Sequence, residues 1–229
     1  MTMIRDNLQQ VTARIVTACS AVGREPASVR LLAVSKTFPP EAVRDAYAAG
    51  QRAFGENYIQ EGVSKIEALA DLRDELEWHC IGPLQSNKTR LVAEHFDWVH
   101  SVDRLKIAQR LSEQRPPHLP PLHVCLQVNV DGGANKSGAS PDEAVALARA
   151  VAALPRLRLR GLMAIPEPAV GFDAQRVLFL RATAVFDQIK ALGIALDTLS
   201  LGMSADLEAA VAAGSTTVRI GTAIFGGRG

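Results

Sequence analysis

The sequence predicts an α/β fold, a single (β/α)8 barrel of the TIM type with an additional N-terminal helix, formed by residues 1–229 as one domain. Apolar runs of strand length alternate eight times with stretches of helical periodicity. Several of these runs are near-continuous, as in parallel strands covered by helices on both faces. A chain of 229 residues is long enough for a compact barrel. An open doubly wound sheet is the alternative fold for such a series of units.

The elements follow in order along the chain. Residues 4–22 carry apolar side chains at helical spacing, and Gly23 follows where a C-terminal cap would lie. The expected strands are 31–36, 52–57, 77–82, 97–103, 122–130, 157–165, 198–202 and 216–226. The expected helices between them are 41–50, 58–72, 86–95, 104–114, 141–153, 173–192 and 205–213. Because no helix is expected after the eighth strand, the opening helix can fill that place.

Composition excludes several classes of protein. The 25 Lys+Arg and 24 Asp+Glu leave a net charge of +1, which argues against nucleic-acid binding but leaves room for one phosphate site. Three cysteines without a C-x-x-C pair suggest neither a disulfide framework nor a metal site. The first residues lack the apolar stretch of a signal peptide, and no run reaches 18 apolar residues. We therefore expect a cytoplasmic protein with no membrane partner.

The six lysines can be considered one by one. Five are expected to be exposed, in amphipathic helices or in loops: Lys65, Lys106, Lys190, Lys88 and Lys136. Lys36 differs because it closes the apolar run 31–35, at the active end of the first strand. Partial burial disfavours an ammonium and frees an amine that can form a Schiff base with a carbonyl. The alternative is a lysine that merely ends the strand at the surface.

Two segments near the end of the chain have the composition of a phosphate site. Ser204 follows strand seven, and Gly221 and Thr222 lie towards the end of strand eight. Loops after these strands often bind phosphate, through glycine backbone, free N–H groups and short hydroxyls. An ordinary N-cap and ordinary turns are the alternatives. Arg219 is a candidate buried cation, and a Schiff-base lysine facing a phosphate site suggests pyridoxal 5′-phosphate as the cofactor.

Several motifs together resemble those of a known family. They are AVSKT (33–37), FGENYIQE (54–61), WHCIGPLQSNK (78–88), VHSVD (99–103), KSG (136–138), GLMAI (161–165) and LSLGMSADLEAAVAAGSTTVRIGTAIFG (199–226). In this order they resemble the pyridoxal phosphate homeostasis protein family over nearly the whole chain. The resemblance implies the barrel of the alanine racemase N-terminal domain, bound pyridoxal phosphate, and control of free cofactor supply without an established catalytic reaction.

The resemblance also implies roles for individual residues. Lys36 would hold the cofactor as a Schiff base, and Arg219 would face the pyridine nitrogen. The phosphate would be met by three residues: Ser204, Gly221 and Thr222. Asn57 and His79 would stand at the same barrel end. Met203 would contact the ring, unless it only fills the core.

The expected function is binding and delivery of the cofactor, with apo-enzymes that use pyridoxal phosphate as recipients, by a monomer that is not an enzyme. The alternative is an amino acid racemase, which by resemblance needs a second domain for which the chain leaves no room. An aldolase-like enzyme, in which Lys36 attacks a phosphorylated sugar, is a third reading. Lys136, in the Gly-rich loop 131–138, is either a second amine for aldehyde transfer or a solvated loop lysine.

Overall fold

Eight parallel strands form a closed barrel in the computed structural model, which describes residues 3–132 and 137–227. The strands are β1 (Arg30–Val34), β2 (Ala53–Glu56), β3 (Glu77–Cys80), β4 (Trp98–Val102), β5 (Leu122–Gln127), β6 (Leu157–Met163), β7 (Thr198–Ser200) and β8 (Thr217–Ile220). Each strand pairs with the next, and β8 pairs with β1 from Arg30↔Thr217 to Ala33↔Ile220. This closure confirms the barrel and excludes the open sheet.

The helices surround the barrel and follow the strands in sequence. They are α1 (Met3–Ala21), α2 (Pro40–Ala48), α3 (Ile59–Ala68), α4 (Thr89–His95), α5 (Leu105–Gln114), α6 (Pro141–Ala152), α7 (Phe172–Ala191), α8 (Leu207–Ala212) and α9 (Thr222–Phe225). Short 3-10 turns lie at Pro26–Ser28, Ala70–Leu72 and Ser86–Lys88. In the part of the chain described here, none of the helices is both long and apolar enough to cross a membrane.

Helix α1 occupies the outer place that follows strand eight, as the sequence predicts. Its buried face, which includes Leu8, Val11 and Ile15, belongs to the main hydrophobic core, and the helix contacts α2, α8 and α9. The Asn7 side chain donates a hydrogen bond to the Ile224 carbonyl at 2.8 Å. The first helix therefore completes the ring of helices around the barrel.

The eighth strand is shorter than predicted. The expected strand 216–226 ends at Ile220, and the chain then turns at Gly221 into the single-turn helix α9. Ile224 and Phe225 are buried, and the Phe225 ring stacks on Phe38 with centroids 5.2 Å apart. Burial of these two side chains favours a turn against α1, which the apolar run alone could not distinguish from a continued strand.

The barrel interior combines apolar and polar layers. Leu32, Val34, Ala53 and Ile81 form one small apolar cluster, and Trp98, Cys125 and Met163 form another. The polar side chains of His79, His100, Ser200 and Arg219 hydrogen-bond to one another among these residues, and all four are buried. Because buried polar groups need partners, these strands are tied together by specific hydrogen bonds as well as by packing.

Candidate functional site at the carboxyl ends of the strands

A cavity of about 340 Å³ opens at the carboxyl ends of the strands. Seven of the eight predicted site residues line it: Lys36, Asn57, Met203, Ser204, Arg219, Gly221 and Thr222. The remaining lining side chains are mainly apolar: Val34, Phe38, Ile81, Ile165 and Ala205. An apolar pocket with a few convergent polar groups is the usual form of a small-molecule site.

Lys36 lies two residues beyond the end of β1. The Ser35 N–H still donates to the Gly55 carbonyl at 3.1 Å, so strand-like pairing reaches the residue before the lysine. Thr37 then adopts a φ of 68°, which is uncommon for a β-branched residue. This sharp turn directly after Lys36 leaves its half-buried side chain among the cavity-lining residues.

A buried ion pair supports the backbone around Lys36, and here one expectation was wrong. Lys65 is only 3% exposed, although its helix predicted a solvated surface lysine. Its ammonium donates to Glu56 Oε1 at 2.8 Å, to Glu61 Oε1 at 2.6 Å and to the Ser35 carbonyl at 2.7 Å. Burial raises the pKa of Glu56, against the opposing charge and hydrogen bond of Lys65. A carboxylate within the apolar strand 53–56 was the available signal for a buried cation.

Asn57 follows β2 and packs against the loop after β3. A Cβ atom on Gly82 would lie 2.1 Å from the Asn57 carbonyl oxygen, so only glycine allows this approach. The Asn57 Oδ1 atom is buried and has no hydrogen-bond partner among the described residues. It is therefore an acceptor at the cavity wall that a ligand donor can satisfy.

The loop after β7 brings Met203 and Ser204 to the cavity. Gly202 begins it at a φ of 88°, a conformation that glycine adopts without strain. The Met203 N–H donates to Asp206 Oδ1 at 2.6 Å, and Arg14 of α1 donates to the Ser204 carbonyl at 3.1 Å. The first helix thus holds the loop from outside, through a contact that no local sequence pattern indicates.

Arg219 is a buried cation of β8, as expected. Its guanidinium donates to the Ser200 carbonyl at 2.6 Å, to Ser200 Oγ at 2.8 Å and to the Ala164 carbonyl at 3.2 Å. Burial lowers its pKa to about 10, against the charge of Asp206, so it stays protonated at neutral pH. Gly221 and Thr222 follow at the start of α9, where helical N–H groups have no intrahelical acceptors.

His79 does not line this cavity, contrary to expectation. It is 2% exposed inside the barrel, with Nδ1 2.9 Å from His100 Nε2 and Nε2 2.6 Å from Glu77 Oε1. It borders a separate cavity of about 240 Å³ at the amino ends of the strands, whereas Ile81 lines the carboxyl-end cavity. Because inward side chains alternate along a strand, His79 and Ile81 belong to successive interior layers.

Among residues 3–132 and 137–227, the structure contains no group of three or more His, Cys, Asp or Glu side chains that could hold a metal ion. Lys136, the candidate second amine, lies outside the described residues.

Comparison with known proteins relates the chain to one family. The family model for the alanine racemase N-terminal domain matches residues 6–229. The chain is 62% identical to a pyridoxal phosphate homeostasis protein of Pseudomonas aeruginosa, over 100% of this chain and 97% of that protein. It is 56% identical to the Escherichia coli protein of the same name, over 100% and 98% of the two chains.

Solved structures of similar proteins support the same family assignment. PipY of Synechococcus elongatus without PLP has a TM-score of 0.84 at 40% identity, and its structure with PLP bound has a TM-score of 0.82 at 38% identity. Both alignments cover 97% of this chain and 100% of PipY. The chain therefore belongs to the alanine racemase N-terminal domain family and, within it, to the pyridoxal phosphate homeostasis proteins.

Proposed function

We propose that the carboxyl-end cavity binds pyridoxal 5′-phosphate, with Lys36 joined to its aldehyde as a Schiff base. One observation carries the proposal: an amine, a buried guanidinium and two hydroxyl-bearing loops line the same cavity. Its volume of about 340 Å³ lies within the range of small-molecule sites. The unpartnered Asn57 Oδ1 adds an acceptor suited to a ligand hydroxyl. PipY, which resembles this chain, has a structure with PLP bound.

The cofactor supplies an aldehyde, whose carbon bonds to an amine nitrogen with loss of water. The chain supplies the amine of Lys36 and, at Ser204, Gly221 and Thr222, hydroxyls and backbone that suit a phosphate. In this proposal Met203, which lines the cavity and is 43% exposed, covers the ring. In this proposal the apolar lining excludes water from the bound cofactor.

Arg219 argues for holding the cofactor rather than for turning over a substrate. A guanidinium only donates hydrogen bonds, so a ring nitrogen facing it accepts and stays unprotonated. An unprotonated ring withdraws electrons weakly and stabilises a carbanion poorly. Lys36 and Arg219 are also the only ionisable side chains lining the cavity among the described residues, whereas racemisation needs a second acid or base.

We infer that the protein acts in the homeostasis of pyridoxal phosphate, as a carrier and not as an enzyme. The names of the relatives support this role. Apo-enzymes would receive the cofactor, and residues 1–229 would act as one domain and as a monomer. We place the function in the cytoplasm, since Cys19, Cys80 and Cys125 are free and buried.

A titration with pyridoxal phosphate tests the proposal. Wild-type protein is expected to develop a visible absorption band, and Lys36→Ala is expected to develop none. Lys106→Ala is the control, because Lys106 is exposed on α5 far along the chain from the cavity-lining segments. A colourless wild type, or a Lys36→Ala protein with the wild-type band, would refute the Schiff base. Chiral chromatography after incubation with alanine tests the racemase alternative, for which we expect no turnover.

A further inference from the structure

A continuous chain of hydrogen bonds crosses the barrel interior and ends at Arg219. Starting from the guanidinium, its successive links are Arg219 Nη1 to Ser200 Oγ at 2.8 Å, Ser200 Oγ to His100 Nδ1 at 2.9 Å, His100 Nε2 to His79 Nδ1 at 2.9 Å, and His79 Nε2 to Glu77 Oε1 at 2.6 Å. We call these five residues the interior relay. They join β8, β7, β4 and β3 through side chains alone.

The interior relay connects the two ends of the barrel. Arg219 lines the carboxyl-end cavity, whereas Glu77 is the first residue of β3 and forms an ion pair with Arg30, the first residue of β1, at 2.7 Å. The members between these ends, Ser200, His100 and His79, are at most 2% exposed. Water therefore has little access to the bonds that lie between the two charged ends.

The direction of every bond in the relay is determined by its chemistry. The Glu77 carboxylate only accepts, so His79 donates from Nε2 and, being neutral, accepts at Nδ1. His100 must then donate from Nε2 and accept at Nδ1. Ser200 is left to donate its hydroxyl hydrogen to His100 and to accept from Arg219. The other end is consistent with this assignment, because a guanidinium can only donate and the Ser200 oxygen can accept from it.

The surroundings support the protonation states that this assignment needs. Burial opposes ionisation of Glu77, but the hydrogen bond from His79 and the charge and hydrogen bond of Arg30 favour the carboxylate and hold its pKa below the ordinary value. Burial lowers the pKa of both His79 and His100, so both rings are neutral at pH 7. A protonated ring would reverse the bond between His100 and Ser200, because the Ser200 oxygen would then accept from both of its neighbours.

Arg219 needs such an arrangement because it is a buried cation. Among the described residues, none of the carboxylates lies within 4 Å of its guanidinium, and its three hydrogen-bond acceptors are neutral oxygens. In the relay each group directs its acceptor atom towards Arg219 and its hydrogen towards Glu77. Aligned hydrogen bonds of this kind polarise one another, which strengthens the bond to the guanidinium.

We propose that Ser200, His100 and His79 are positioning residues that fix the guanidinium of Arg219 in the orientation in which it meets the ring nitrogen of the cofactor. The inference rests on the proposed function for the identity of that ligand. The relay itself concerns only residues of this chain. Glu77, at the opposite barrel end, anchors it.

Nitrogen NMR of histidine in the cofactor-free protein tests the relay independently of the ligand. At pH 7 both His79 and His100 are expected to be neutral and to carry the hydrogen on Nε2. A protonated ring, or a hydrogen on Nδ1 of either residue, would overturn the assigned direction and with it the inference.

Ser200→Ala tests the positioning role with bound cofactor. Loss of a hydrogen bond to a charged group is expected to release pyridoxal phosphate about tenfold faster and to shift the visible band. The matched control is Ser215→Ala, which removes an equally buried hydroxyl that bonds to the Leu199 and Leu201 carbonyls outside the relay. This control is expected to lose stability while keeping the wild-type band and release rate.

The possible failures are distinguishable. If wild-type protein binds no pyridoxal phosphate, the proposed function fails, and the positioning of its ring fails with it. If wild type binds and Ser200→Ala keeps both the band and the release rate, the proposed function stands and the relay has no positioning role.

Discussion

At the residue scale, two lysines have different roles: Lys36 lines the cavity, and the buried ammonium of Lys65 donates to the carbonyl of Ser35, the residue before it. Lys36, Ser204 and Arg219 were predictable because each lies at or just beyond the end of a strand and has a chemistry that its neighbours lack. Burial of Lys65 was missed, because its signal, the carboxylate of Glu56 in an apolar strand, lies nine residues away on another element. His79 was misplaced because a motif shows that a residue is inside the barrel but not in which layer.

Lys65→Met tests the buried ion pair. The change leaves the Glu56 carboxylate buried without its cation, so the free energy of unfolding is expected to fall by about 3 kcal/mol. Lys190→Met, on the exposed face of α7, is the control and is expected to change it by less than about 0.5 kcal/mol. Denaturant unfolding measures both.

A second substitution separates charge from packing. Adding Glu56→Leu to Lys65→Met removes the buried carboxylate that has lost its cation, and this double variant is expected to recover part of the lost stability. Equal stability of Lys65→Met and Lys190→Met would show that the ion pair contributes nothing beyond a surface lysine.

At the scale of elements, the order of strands and helices follows from periodicity, whereas their contacts do not. Eight strands and the position of α1 were predictable from the run of apolar segments. The end of β8 was not predictable, because Gly221 and the following apolar residues suit either a strand or a turn. The contact between α1 and the Ser204 loop joins residues 190 positions apart, and no local pattern reports it.

Arg14→Ala tests whether α1 holds the loop after β7. Arg14 donates to the Ser204 carbonyl and also pairs with Glu208 at 2.8 Å. Without it the loop is expected to gain freedom, which weakens binding of pyridoxal phosphate about threefold to tenfold, as measured by absorbance titration. Arg5→Ala, an exposed change on the same helix, is expected to have no effect. Equal affinities of the two variants would show that the contact of Arg14 with the loop does not affect binding of pyridoxal phosphate.

At the scale of the whole molecule, the barrel separates two ends with different chemistry. The carboxyl end holds the cavity that seven of the predicted site residues line, and the general rule for such barrels places active sites at this end. The amino end holds an ion pair and two neutral histidines that sequence reasoning did not bring together, since they meet only when strands one, three and four close around one interior.

Stability is expected to depend on pH through these histidines. Their pKa values are lowered in the folded protein, so the unfolded chain binds more protons below about pH 6.5 and stability falls as the pH is lowered through this region. The slope for each fully buried histidine approaches about 1.4 kcal/mol per pH unit. Denaturant unfolding between pH 7 and pH 5 measures it.

Two variants test whether a buried histidine causes this dependence of stability on pH. His100→Asn cannot titrate and is expected to reduce the slope, whereas His118→Gln, a change at an exposed loop residue, is expected to keep it. If His100→Asn keeps the wild-type slope, groups other than His100 govern the pH dependence.

In the proposed complex, Lys36 forms the covalent bond to pyridoxal phosphate. Borohydride reduction of the protein loaded with the cofactor, followed by peptide mass spectrometry, locates that bond. A phosphopyridoxyl mass is expected on the peptide that contains Lys36. A peptide without added mass, or the adduct confined to another lysine, would contradict it, and a sugar-phosphate mass on Lys36 in protein taken directly from cells would instead support the aldolase-like reading.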